Sequence, residues 1–240
     1  MVYISEFLKE TRRLKEMASD TEKMIMVSEL AAGVAHEVRN PLTVIKGFVQ
    51  LVEKDLNEKS KEYMQLVLTE LERAEKIITD YLHLAKRYHV EQSVISVTDM
   101  LKNVYSVMHS YTNINSVSLQ LEIEEEMYIV GDQNKIKQVF YNIIKNSTEA
   151  IQRGDGLITI RAYQNNRMAV IEVEDNGIGM TQQELMRIGE AFYTNKETGT
   201  GLGVMVTKSI IQEHGGTLLY DSEKNKGTTV TIRIPIHNKV

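Results

Sequence analysis

The chain has 240 residues, of which 42% are hydrophobic and 25% charged, and a formal net charge of −5. These are the proportions of an ordinary globular protein, and the acidic balance speaks against a nucleic-acid partner, which would call for a basic face. There is no cysteine, so disulfides, thiol catalysis and cysteine zinc sites are excluded.

No run of about 18 apolar residues occurs, so this chain is not expected to span a membrane. The start, Met1-Val2-Tyr3-Ile4-Ser5-Glu6, lacks the basic and apolar layout of a signal peptide. The expected location is cytoplasmic, with a sensor or membrane anchor upstream in a longer parent protein left open.

The first 90 residues carry almost no strand signal. A three-four spacing runs through Leu14, Met17, Thr21, Met24, Ser28, Ala31, Ala35, Val38, Leu42, Ile45, Val49, Val52 and Leu56, the pattern of a long packed helix. A second register follows at Met64, Val67, Leu71, Ala74, Ile78, Tyr81 and Ala85. The polar stretch 57–60 separates them, with Ser60 as the expected N-cap of the second helix. The two form an expected antiparallel hairpin. Further apolar residues beside the seam, among them Ile25, Val34, Phe48, Leu68 and Ile77, widen the stripe beyond what one partner helix covers. The spacing therefore predicts a homodimer in which two hairpins build a four-helix bundle.

From Val94 the pattern turns to α/β. Strands are expected at 94–97, 117–123, 157–162, 169–173, 217–220 and 228–234, and helices at 98–111, 133–152 and 202–214. Residues 87–93 are polar and read as the linker, giving domains of 1–90 and 91–240. Three glycine-bearing segments lie in the second half: Asp175-Asn-Gly177-Ile-Gly179, Gly199-Thr200-Gly201-Leu202-Gly203, and Gly227. Glycine lets backbone approach a phosphate, and a helix N-terminus favours the anion. Neither a dinucleotide fingerprint nor a G-x-x-x-x-G-K-[ST] loop is present. Asn142 and Asn146 share one face of the helix expected at 133–152. Two mid-helix amides beside apolar neighbours are not what propensity selects, and together with the glycines they read as ligands for a metal-phosphate group.

Among six histidines, His36 stands out. It takes an outward position while Ala35 and Val38 face the seam, and Asn40 lies one turn further along the same stripe. Ala31, Ala32, Gly33 and Ala35 keep the helix slim before it, and Pro41 permits a local bend. Neutral imidazole is a good nucleophile near pH 7, and the adjacent Glu37 is the natural acceptor for the proton released on the other ring nitrogen. His83 and His89 flank the end of the second helix, where the dipole favours them, and His214 before Gly215 reads as a helix end.

In their order, Asn142/Asn146, then Asp175-x-Gly177-x-Gly179, then Phe192-x-Thr194-x-Lys196, then Gly199-x-Gly201-x-Gly203 resemble the N, G1, F and G2 boxes of the histidine-kinase branch of the GHKL ATPases. Ala35-His36-Glu37-Val38-Arg39-Asn40-Pro41-Leu42 resembles the H box of the same family, and its continuation to Phe48 is similar to the sporulation kinases of endospore-forming bacteria. The resemblance implies a helical hairpin module joined to an α/β sandwich of the GHKL type, a mixed sheet covered by helices. It implies that ATP phosphorylates His36 and that the phosphoryl group passes to an aspartate of a response-regulator receiver domain.

By the same resemblance, Asp175 accepts from the adenine amine, Asn146 with Asn142 coordinates Mg²⁺, and Lys145 reaches the phosphates. Gly177 and Gly179 hinge a lid anchored by Phe192, and Gly201 and Gly203 let it close. Thr194, Lys196, Gly199, Thr200 and Leu202 are counted with them as nucleotide contacts. Asn40, in an E-x-x-N pattern after His36, is implied to position water for receiver dephosphorylation. A small helical inhibitor protein is implied as a further partner of the bundle. Two departures from the family pattern stand out: Ser147-Thr148 follows the second Asn, and Ala150 occupies a place where many relatives carry an aromatic residue. The competing reading is a dimeric ATP-driven clamp with a merely structural helical stalk, against which the exposed His36-Glu37 pair weighs.

Overall fold

The computed structural model describes residues 42–49, 60–61, 63–71, 74, 92–152, 154–190, 193–194, 196 and 201–237. The chain divides into two compact units, residues 1–88 and 89–240.

In the first unit every described residue is helical, in keeping with the three-four spacing. Ser60, the expected N-cap, is itself helical, so the second helix begins no later than Ser60. Leu71 is buried, whereas Val44, Ile45, Phe48, Tyr63, Leu66 and Val67 are exposed. No described helix in the chain is long and apolar enough to cross a membrane.

The second unit runs β1 (Ser93–Ser96), α1 (Val97–Ile114), β2 (Val117–Ile123), β3 (Tyr128–Gly131), α2 (Gln133–Ala150), β4 (Gly156–Asn165), β5 (Met168–Asp175), α3 (Gln182–Arg187), α4 (Gly203–Glu213), β6 (Thr217–Glu223) and β7 (Gly227–Pro235). Five strands form a mixed sheet in the order β2-β4-β5-β7-β6, parallel only between β2 and β4. A separate antiparallel pair joins β1 to β3.

Two elements, β3 and α3, were not expected. The first is four residues long and runs almost directly into a helix cap, too short for an alternation to register. The second is a six-residue helix fixed by a capping box, in which Thr181 and Glu184 each bond the other's backbone N–H. Val97, expected as strand, opens α1 instead, because Ser96 Oγ accepts from Asp99 N at 3.1 Å and caps the helix there.

The pleat decides which side chains are inside. Register aligns Ile160, Val173 and Val230 across three strands, and Ala162, Ile171 and Ile232 beside them. All six are buried. On the opposite parity Arg161 bonds Glu122 at 3.1 Å and Glu174 at 2.6 Å across neighbouring strands, in the open. One face is thus apolar and the other polar.

The amphipathic helices close the apolar face. In α2, Ile136, Val139, Phe140, Ile143 and Ile144 are buried, a three-four spacing that makes one packed side. Asp132 caps this helix, its Oδ1 accepting from Asn134 N and Lys135 N. His214 ends α4, as its sequence setting suggested. Its Nδ1 donates to Ile210 O and its Nε2 accepts from Asp132 N, so it joins the end of α4 to the start of α2.

The turn into β7 is the tightest point of the sheet. Gly227 has φ +123°, and a Cβ there would lie 1.8 Å from the carbonyl oxygen of Asp175. Gly203, by contrast, opens α4 with nothing within 4 Å of a Cβ. Gly227→Ala is therefore expected to destabilise the second unit by more than about 3 kcal/mol, since neither strand backbone has room to move. Gly203→Ala should be neutral or stabilise by up to about 1 kcal/mol. Urea unfolding of both variants beside the parent chain checks the contrast.

Candidate active site

Asp175 is the last residue of β5, and its parity places it on the apolar face with Val173 and Ile171. It is only 5% exposed. Burial of a carboxylate is costly unless donors surround it, and here they do. Oδ1 accepts from Gly177 N at 3.0 Å and from Thr228 N at 3.3 Å, and the Ser147 hydroxyl also donates to the carboxylate. Desolvation nonetheless prevails and holds the Asp175 carboxyl above the usual aspartate range, with the three hydrogen bonds opposing it.

The loop after Asp175 is fixed by close backbone approach. Ile178 N donates to Ala150 O at 3.0 Å, so the end of α2 is stitched to the loop. A Cβ on Gly177 would lie 2.9 Å from that same carbonyl oxygen. Gly179, at φ +57°, passes so near Glu223 that a Cβ would meet its carbonyl oxygen at 2.0 Å. The two glycines of this segment are thus packed between α2 and the β6–β7 turn, and Asn225 N closes the turn onto Ile178 O at 2.7 Å. Asn176, between Asp175 and Gly177, holds the start of β4, accepting from Leu157 N and donating to Asp155 O.

The second cluster lies along α2. Asn142, Asn146 and Glu149 follow at spacings of four and three, which puts them on one stripe. Asn142 is half-buried, while Asn146 and Glu149 are exposed. Lys145 pairs with Glu149 at 3.7 Å. Lys196, brought from the segment after α3, contacts Glu149 Oε2 and lies 3.4 Å from Asn146 Oδ1. An amide oxygen and a carboxylate therefore already converge on a cation, a hard-oxygen donor set of the kind that suits Mg²⁺.

The remaining sequence-derived candidates are distributed unevenly. Thr194 is exposed, with Oγ1 accepting from Lys196 N. Gly201 has φ +68°. Leu202 is 1% exposed, and its carbonyl accepts from Val206 N to start α4. Its side chain thus belongs to the core, which leaves its backbone as the part able to face a ligand. Gly203 is the first residue of α4. His36, Glu37, Asn40, Phe192, Gly199 and Thr200 lie outside the described residues.

Two members of this site were missed by sequence reasoning. Ser147 was noted only as a departure from the family pattern, yet its buried hydroxyl serves Asp175. Glu149 went unread although its spacing from Asn142 and Asn146 was a usable signal.

Residues 26–88 match the His kinase A phosphoacceptor domain, and residues 131–238 match the ATPase domain of histidine kinases, DNA gyrase B and HSP90. Over 98% of its length the chain is 47% identical to sporulation kinase B of Bacillus subtilis, and over 95% it is 39% identical to sporulation kinase E of the same organism. It spans 55% and 31% of those proteins, respectively. Among solved structures, histidine kinase ThkA in complex with the response regulator TrrA matches 94% of this chain and 66% of that one, at 27% identity and a TM-score of 0.67. Full-length ShkA in complex with AMPPNP shares the fold, with a TM-score of 0.75 at 20% identity over 88% of this chain and 46% of that one. A phosphoacceptor domain followed by a GHKL-type ATPase domain, with sporulation kinases as relatives over nearly the whole chain, places this protein in the two-component sensor histidine kinase family.

Proposed function

We propose that this chain is the catalytic core of a phosphorelay kinase, which transfers the γ-phosphoryl group of ATP to His36 and then to an aspartate of a response-regulator receiver. The observation that carries the nucleotide half is Asp175. A carboxylate buried on an apolar sheet face, held by Gly177, Thr228 and Ser147, is built to accept from an adenine amine in a dry environment. The placement of residues 26–88 in the phosphoacceptor family supports His36 as the acceptor.

In the proposed reaction the free imidazole nitrogen of His36 attacks the γ-phosphorus, the bond to the β,γ-bridging oxygen breaks, and ADP leaves. Glu37 takes or steadies the proton on the other ring nitrogen. Asn146 and Asn142 would hold Mg²⁺, which supplies charge neutralisation on the transferring group, while Lys145 and Lys196 approach the phosphates. Gly177 and Gly179, fixed between α2 and the β6–β7 turn, form the base of a lid that Phe192 anchors. The glycines at 199, 201 and 203, with Thr194, Thr200 and the backbone of Leu202, frame the triphosphate. Asn40 holds a water for hydrolysis of the receiver's acyl phosphate.

The exposed Val44, Ile45, Phe48, Leu66 and Val67 support a homodimer, since a second copy would cover them. A small helical inhibitor could compete for the outer surface of the same bundle. We place this chain in the cytoplasm, with any sensor or anchor contributed by the remainder of a longer parent, as the partial coverage of its relatives suggests.

Incubation with ATP labelled on the γ-phosphorus should give acid-labile label on the parent chain and none on His36→Gln, with nucleotide affinity unchanged. Acid-labile label on His36→Gln would overturn the acceptor.

For the nucleotide site, Asp175→Asn should weaken ATP binding roughly tenfold to a hundredfold, the value of a charge-assisted hydrogen bond of about 1.5–3 kcal/mol. The pH dependence follows from the raised pKa of Asp175. The folded state binds the proton more tightly than the unfolded chain, so this group's contribution to stability is present at low pH and lost as pH rises through the elevated value. Adenine binding runs the opposite way because it needs the carboxylate. Calorimetric affinity should fall on acidification at a pH above the ordinary aspartate value of about 3.9, and that dependence should vanish in Asp175→Asn.

A further inference from the structure

Glu149 is not among the ligands that the sequence resemblance implies, yet it stands where the charges of the site meet. Its Oε1 lies 3.7 Å from Lys145 Nζ, and its Oε2 holds Lys196 Nζ. The same ammonium lies 3.4 Å from Asn146 Oδ1. Asn146 and Glu149 are three apart on α2, one turn of the helix, so their oxygens face the same point beside it. A monovalent cation from the protein itself therefore sits between two hard-oxygen donors, one of which is the proposed metal ligand.

We propose that Glu149 is, with Asn146, an oxygen ligand for the divalent cation that accompanies the nucleotide, and that Lys196 competes with that cation for the same two oxygens. This rests on the nucleotide site proposed above. The two cations exclude each other, because they would share donors and repel at that separation. The metal prevails when nucleotide is present: it brings twice the charge, and phosphate oxygens add ligands to its shell. The exchange is easy because Glu149, Lys196 and Lys145 are all partly exposed, where ion pairs are weak. Displacement of Lys196 leaves Lys145 beside the other carboxylate oxygen, so Glu149 stays oriented along the stripe.

An ordinary ion pair between Lys196 and Glu149 makes a different forecast from a shared cation cage. Loss of either partner of a simple pair has the same consequence, whereas loss of a ligand and loss of a competitor have opposite ones. The affinity of the full chain for AMPPNP is measured calorimetrically in Mg²⁺ and again in EDTA, and the dissociation constant in EDTA divided by that in Mg²⁺ reads the metal's contribution. Any part that Lys196 plays toward the nucleotide alone cancels in that ratio.

Glu149→Gln should lower the ratio about tenfold or more, the range seen when a metal site loses a supporting group. Lys196→Met should raise it. An unchanged ratio in Glu149→Gln would overturn the proposal while leaving the nucleotide site standing. Equal decreases in both variants would also overturn it, in favour of a plain ion pair. Absence of AMPPNP binding by the parent chain in both buffers would remove the nucleotide reading itself, and this inference with it. Thermal unfolding of the variants checks that these exposed substitutions leave the fold intact.

Discussion

The second unit is organised around a buried carboxylate. Asp175 ends β5 on the apolar face of the sheet, where desolvation opposes its charge. An isolated ion there would be untenable, so the surroundings must supply donors. They come from three places far apart in sequence: Ser147 on α2, Gly177 in the following loop, and Thr228 on β7. Each donor fixes an element against the others. The end of α2 must reach the sheet edge, the loop must fold back on Ala150, and the β6–β7 turn must pass within van der Waals contact of Asp175. The positions of Gly177 and Gly227 follow from that crowding, since a side chain at either would strike backbone.

Much of this was legible in the sequence because it depends on spacing. The three-four pattern of α2 exposed its buried side, and the two asparagines on another stripe were visible as an anomaly of propensity. Glycines following an aspartate at the end of a β-branched run marked a tight approach without saying what was approached. The illegible parts depend on tertiary register. The alternation along β5 puts Asp175 on the face of Ile171 and Val173, but its neighbour Thr228 follows only from the pairing of β5 with β7, which no single strand announces. Ser147 looked like a bland substitution because a hydroxyl on a helix normally serves its own backbone, as the neighbouring Thr148 does by donating to Ile144 O. Lys196 reaches Glu149 across nearly fifty residues of chain, a contact that no local periodicity encodes.

Two physical regimes coexist within this one site. Around Asp175 the groups are buried, the backbone is crowded, and loss of a donor removes part of what offsets the desolvation of the carboxylate, so this part is stiff and selective. Along the exposed stripe of α2 the charges are hydrated and individually weak, and their pairing is easily exchanged. In the proposed function these regimes divide the work: the buried carboxylate distinguishes the base, which is rigid and neutral, whereas the stripe receives the phosphates and their cation, whose charge changes as the phosphoryl group leaves. A stiff electrostatic clamp on the triphosphate would hold substrate and product alike and slow the exchange of ADP for ATP. Placing the lysines and Glu149 where water still screens them keeps that end adjustable, while the specificity stays in the sheet.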